Sequence, residues 1–75
     1  MIILDKKGHL VSTVSEGELH NFAKSIRLKT EWYQDGEHPH YDLTTPNAIQ
    51  RAIRAGAKMV TSKEIIEFAW WNKND

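Results

Sequence analysis

Two histidines and one aspartate alternate with other residues in the segment His38-Pro39-His40-Tyr41-Asp42. Pro39 restricts its own backbone and that of the preceding residue, so the segment is predicted to be extended. Side chains alternate along a strand, which places the two imidazoles and the carboxylate on one face and Pro39, Tyr41 and Leu43 on the other. Two imidazoles and one carboxylate are the ligands of a common type of metal site.

Three interpretations of this polar face stay open. It is a hydrated surface if Tyr41 and Leu43 simply pack in the core, and Pro39 is typical of an edge strand. It is a contact surface for a phosphate or nucleotide if an anion binds beside it. It is a metal site only on a bent strand, because same-face residues two apart are separated by roughly 6.6 Å.

The remaining histidines extend the metal hypothesis. His9 begins an extended segment, and His20 flanks the apolar stripe of a predicted helix. A histidine in either position commonly serves the structure alone, through a hydrogen bond to a backbone carbonyl. If instead His9, His20 and His40 converge, the three imidazoles form a cluster suited to a divalent metal such as zinc, or to proton transfer.

A helix start directly follows the polar segment. Thr44-Thr45-Pro46 offers hydroxyl groups and free N–H groups to an anion, and Arg51 lies further along the same helix. Exposed arginines are ordinarily solvated, yet these groups together suit a phosphate-bearing ligand. The predicted ligand-binding set is therefore His9, His20, His38, His40, Tyr41, Asp42, Thr44, Thr45 and Arg51.

The elements that must position these residues alternate between strands and helices. Short apolar runs predict strands at Ile2–Leu4, His9–Thr13 and Ala57–Val60, in addition to the polar segment. Capping residues begin three helices, at Ser15, Thr45 and Thr61. We expect one α/β domain over residues 1–71, a small mixed or parallel sheet of three to four short strands covered by three helices, and a frayed polar tail over residues 72–75.

Composition narrows the classes of function. The chain has 75 residues, no cysteine and a formal net charge of zero, which argues against a strong nonspecific nucleic-acid binder and excludes disulfides and thiolate metal sites. The N-terminal apolar run is too short for a signal segment or a membrane span, so we expect a cytoplasmic protein without a membrane partner.

The neighbouring residues Trp70 and Trp71 are candidates for an interface. Adjacent helical side chains point about 100° apart, so one tryptophan is expected to pack and the other to lie exposed. The exposed ring suits a homodimer or another protein partner, and neutral net charge permits self-association. The alternative is a simple lid over the core.

The ordered motifs resemble one family. Gly8-His9-Leu10-Val11-Ser12, Glu18–Ala23, His38–Thr44, Ala55-Gly56-Ala57 and Val60–Glu64 are similar to the domain of unknown function 4031, over about Ile2 to Phe68. The resemblance implies a fold and a bacterial or bacteriophage origin, hence the cytoplasm of a bacterium or of a phage-infected host. It implies no activity. All four histidines fall in these motifs.

No P-loop, Rossmann fingerprint or His-Glu-x-x-His motif is present. The leading hypothesis is a module that binds a phosphate-containing ligand, a nucleotide or nucleic acid, through a His/Tyr/Thr surface. One alternative is a metal-assisted phosphoesterase that uses the histidine cluster. The other is a non-catalytic interaction or regulatory protein of phage or bacterial origin.

Overall fold

The computed structural model describes residues 1–72 and contains five strands and three α-helices. The strands are β1 (Ile2–Leu4), β2 (His9–Ser12), β3 (Tyr33–Gln34), β4 (His40–Asp42) and β5 (Lys58–Met59), and the helices are α1 (Glu16–Ser25), α2 (Pro46–Arg54) and α3 (Ser62–Phe68). Two short 3-10 helices cover Thr30–Trp32 and Trp70–Asn72. The predicted polar tail therefore lies outside the described residues except for Asn72.

The strands form one mixed sheet in the order β3-β4-β2-β1-β5. Strands β1 and β5 pair in parallel, and the other three neighbouring pairs are antiparallel. The α/β prediction is confirmed, with five strands rather than three to four. The additional strand, β3, has only two residues, one of them exposed, which is too short for an alternating pattern to show.

Apolar side chains cover both faces of the sheet. Leu4, Leu10 and Tyr41 point toward α1 and α2, where they join the larger cluster of buried residues. Ile3 and Val11 point the other way and pack against Ile65 of α3 and Ala69. The sheet is thus a central layer, and neighbouring residues of each strand face two different environments.

The helices begin where capping residues predict. Ser15, Thr45 and Thr61 each accept a hydrogen bond from the backbone N–H three residues later. The sequence Ser15-Glu16-Gly17-Glu18 predicts a capping box, in which Glu18 would accept from the backbone N–H of Ser15. That half of the prediction is wrong, because the Glu18 carboxylate accepts from Ser12 Oγ and from the N-terminal amine instead. No helix within residues 1–72 is both long enough and apolar enough to cross a lipid bilayer.

The turn between β1 and β2 depends on Gly8. Its backbone has φ +93°, a left-handed value that favours glycine. Its N–H donates to the Asp5 carbonyl, and its carbonyl accepts from Leu43 N–H at 2.8 Å. A Cβ at this position would lie 2.3 Å from the Leu43 carbonyl oxygen. Gly8 thus lets the β1–β2 turn approach the end of β4.

We expect Gly8→Ala to lower the free energy of unfolding by about 3 kcal/mol or more, because backbone strain and a clash with rigid backbone add together. Chemical denaturation monitored by circular dichroism measures the change. Gly56→Ala is the matched control, since Gly56 also has a positive φ of 111° but an added Cβ would meet no atom within 4 Å. The control should cost about 1 kcal/mol. Equal losses in the two variants would contradict the proposed close approach.

Candidate functional site

His9, His40 and Asp42 converge on the face of the sheet that α3 covers. The register pairs His9 of β2 with Asp42 of β4, and His40 lies two residues before Asp42 on the same face of its strand. The Asp42 Oδ1 atom is 3.1 Å from His40 Nε2 and 3.8 Å from His9 Nε2. The third group therefore comes from the neighbouring strand, so β4 does not have to bend.

The spacing of these atoms suits coordination of one ion. One potential ligand atom from each residue lies within 4.8 Å of the other two, and the two imidazole rings meet edge to face with centroids 5.3 Å apart. Ligands bound tetrahedrally at about 2.0–2.1 Å lie about 3.3 Å from one another. Small side-chain rotations would bring the three atoms to that separation.

Both imidazoles have an acceptor beside their Nδ1 atom. His9 Nδ1 is 2.9 Å from Asp5 Oδ2, and His40 Nδ1 is 2.6 Å from the His38 carbonyl oxygen. Each acceptor assigns the ring proton to Nδ1, because carboxylate and carbonyl oxygens cannot donate. In the neutral imidazoles, both Nε2 atoms then carry lone pairs toward Asp42. A ring held through its second nitrogen in this way is typical of metal-ligating histidines.

The Asp5 carboxylate positions His9. It is only 1% exposed and accepts hydrogen bonds from the N–H groups of Lys7 and His9, from His9 Nδ1 and from Ser62 Oγ. Burial raises the pKa of Asp5, but the hydrogen bonds from His9 and Ser62 together outweigh that effect and hold the pKa below its ordinary value. Asp5 is thus an ionised, fully bonded support and not a free base.

A cleft of about 280 Å³ opens beside the two histidines. One wall is apolar and contains Ile65, Ile66 and Trp71, and Lys7 supplies a positive charge. The exposed His38 ring lies 4.3 Å from the Trp71 ring, centroid to centroid, and Trp71 Nε1 donates to the Pro39 carbonyl. The cleft therefore combines aromatic and apolar surface with a cation next to the possible ligand atoms.

His20 does not join His9 and His40, so the predicted three-histidine cluster does not form. Its Nδ1 is 2.8 Å from the hydroxyl oxygen of Tyr41, whose side chain points to the opposite face of the sheet from His40. Tyr33 and Glu16 complete this second group, in which the Tyr33 hydroxyl donates to Glu16. Burial and the Glu16 carboxylate raise the pKa values of Tyr33 and Tyr41. The group stabilises the contact between α1 and β4.

The predicted anion-binding residues are spread over the surface. Thr44 and Thr45 are exposed, and Thr45 Oγ1 accepts from Ala48 N–H as the N-cap of α2. Arg51 lies in a different groove that shares no lining residue with the histidine cleft. His38 lines the cleft, whereas Tyr41 is buried on the other face. The alternation predicted for residues 38–43 is thus confirmed, with Pro39, Tyr41 and Leu43 buried.

The prediction that one tryptophan packs and the other lies exposed is wrong, because Trp70 and Trp71 are both half-buried in a short 3-10 helix. The Trp71 ring packs against the cluster of Ile3 and Val11 and forms part of the cleft. A homodimer through these two tryptophans stays a prediction.

Sequence reasoning missed Asp5 and Ser62. Asp5 ends the apolar run Ile2–Leu4, and an aspartate four residues before a histidine, with a glycine between them, is a recognisable signal for a turn that folds one onto the other. Ser62 follows Asp5 by 57 residues, and no local pattern connects the two.

Comparison with known proteins gives one family. The model of the family described as "Protein of unknown function (DUF4031)" matches residues 5–71, which include all the residues of the site described above. No curated protein and no solved structure matches the chain.

The support from Asp5 predicts a pH-dependent effect of Asp5→Asn. Because folding lowers the Asp5 pKa, the ionised group stabilises the fold above its ordinary pKa of 3.8, and this contribution is lost as the pH falls through the lower folded value. At pH 7 we expect the free energy of unfolding of the variant to be about 2 kcal/mol lower than that of the wild type. The difference should shrink toward pH 2. Denaturant titrations across this range measure it.

Asp35→Asn, at an exposed turn position, is the control and should change the free energy of unfolding little at any pH. A deficit for Asp5→Asn that stays constant from pH 7 to pH 2 would show that the carboxylate does not favour the folded state through its charge.

Proposed function

The chain belongs to the DUF4031 family, whose description names no activity, and we propose a function from the geometry of its site. The protein is a metal-dependent hydrolase in which His9, His40 and Asp42 bind one divalent ion, and its substrate is a phosphate ester.

The orientation of the two imidazoles carries this proposal. With both protons on Nδ1, the Nε2 atoms of His9 and His40 and the Oδ1 atom of Asp42 all direct lone pairs into one small volume. Three acceptors repel one another unless a proton or a metal ion lies among them. A divalent transition metal supplies that charge, and two imidazoles with one carboxylate form a donor set that zinc enzymes use.

Three protein ligands leave a coordination position for water. When bound, the metal supplies a hydroxide at neutral pH and polarises a phosphoryl oxygen. The side chains of His9, His40 and Asp42 are 39%, 23% and 37% exposed, respectively. Solvent and substrate thus reach the site.

The lining of the cleft supports a phosphate ester as the substrate. Lys7 attracts the phosphate oxygens, and His38 lies on the same cleft with an exposed imidazole that can protonate the leaving oxygen. The Trp71 ring and the two isoleucines offer a surface for a planar group such as a nucleobase. A nucleotide meets each of these requirements.

One observation favours a second candidate function, which is binding of the same ligand without turnover. Asp5 is the one carboxylate among the residues that line the cleft in the described chain, and its oxygens already accept four hydrogen bonds. The cleft thus offers no free carboxylate base. A nucleotide-binding module with a structural metal meets this constraint.

We expect the metal-free protein to bind one equivalent of Zn²⁺ in isothermal titration calorimetry at pH 7.5. His9→Ala and His40→Ala should each weaken binding by at least about tenfold, because each removes one of three ligands. His20→Ala is the control, since His20 lies on the other face. Affinity should fall at pH 5.5, where protons compete for imidazole. Failure of the wild type to bind, or an equal loss in His20→Ala, would refute the metal site.

Hydrolysis is measured with the zinc-loaded protein on bis(p-nitrophenyl) phosphate and on a panel of nucleotides. We expect turnover above that of free Zn²⁺, and a loss of at least about 100-fold in Asp42→Asn, because a neutral amide is a poorer metal ligand than a carboxylate. Saturable nucleotide binding with no turnover above the metal blank would instead support the binding module.

A further inference from the structure

All three arginines of the chain line a single groove on the side of the sheet opposite the histidine cleft. Arg27 follows the end of α1, and Arg51 and Arg54 lie in the last turn of α2. The groove has a volume of about 420 Å³, and its other lining residues are Ser25, Ile26 and Ala55. Among residues 1–72, no carboxylate lines the groove.

The positive charge of this groove is not neutralised within residues 1–72. None of the three arginines lies within 4.0 Å of a carboxylate oxygen in this part of the chain. The carbonyl ends of α1 and α2 each contribute only about half a negative charge. Three guanidinium groups therefore leave the groove with a net charge of about +2, although the whole chain is neutral.

Two details indicate that the arginines have a role beyond stabilising the C-terminal ends of α1 and α2. Arg27 has φ +59°, a left-handed conformation at the position after a helix that glycine usually occupies, so an arginine here costs stability. Arg51 is half-buried, and its Nε is buried without a hydrogen-bond acceptor among the described residues. A rotation of the Arg51 side chain would turn this donor toward an oxyanion bound in the groove.

We propose that this arginine groove is a second ligand site, which binds phosphate groups. A guanidinium presents a planar pair of donors that matches two oxygens of a phosphate, and the protein uses arginine here although lysine is more abundant in the chain. The phosphates belong to a free polyphosphate or to the backbone of a single-stranded nucleic acid. The site is independent of the proposed metal centre, because the two share no lining residue.

Arg27→Gly is the decisive variant because it separates binding from folding. It removes one charge and relieves the left-handed strain, so we expect the melting temperature to rise by about 4 °C. Affinity for inorganic pyrophosphate or for a labelled 12-nucleotide single strand should nevertheless fall by about tenfold at 50 mM salt. Arg54→Gln should weaken binding to a similar extent. Titration calorimetry and fluorescence anisotropy, both with a chelator present, measure the two ligands.

The control is Lys63→Gln, which removes one exposed charge from α3 and should leave both affinities within about twofold. His9→Ala should also retain them, which separates this site from the metal centre. For a nucleic-acid backbone, the logarithm of the binding constant should fall with the logarithm of salt with a slope of about −2, reduced by about 0.7 in Arg27→Gly. Tighter binding of pyrophosphate than of the oligonucleotide would identify a free polyphosphate.

The proposal is overturned if neither probe binds more tightly than millimolar at 50 mM salt. It is also overturned if Arg27→Gly and Arg54→Gln weaken binding no more than Lys63→Gln does.

Discussion

The buried carboxylate of Asp5 connects three parts of the molecule. It accepts hydrogen bonds from the backbone N–H groups of Lys7 and His9, from the imidazole of His9 at the start of β2, and from the hydroxyl of Ser62 at the start of α3. An ionised group this deeply buried persists only when hydrogen bonds replace its hydration. The same bonds therefore hold α3 on the sheet, close the β1–β2 turn and set the tautomer of His9, so stability and the geometry of the candidate site have one physical origin.

The central sheet decides which polar residues can act together. Because strand residues alternate between faces, His40 and Tyr41 belong to different environments although they are neighbours in the chain. His40 meets His9 and Asp42 beside an open cleft, whereas Tyr41 meets His20 in a packed contact between α1 and β4. Three of the four histidines thus divide into a pair beside a carboxylate, His9 and His40, and a residue that stabilises helix packing, His20, while His38 lies exposed against Trp71. Within residues 1–72, only the first group brings three potential ligand atoms close enough to hold one ion.

The proposed metal centre and the proposed phosphate groove lie on opposite faces of a very small domain. Each face carries one helical layer whose apolar side chains fill the core, and each leaves polar side chains at its margin. A chain of this size has little core to spare. The left-handed Arg27 carries an energetic cost that a purely structural role does not require, and it lies at the margin of the face that α1 and α2 cover.

Local patterns in the sequence determined the fold class, the starts of the three helices and the alternation from His38 to Leu43, because capping residues and side-chain periodicity act over a few positions. The two-residue strand β3 was too short to leave such a pattern. Only the tertiary structure decided that His9 lies opposite Asp42, that Ser62 reaches Asp5 and that three separate arginines share a groove. These contacts depend on strand order and register, which pair residues far apart in the chain and leave no local periodic trace. The packing of α1 on the face that carries Tyr41 kept His20 away from the predicted cluster.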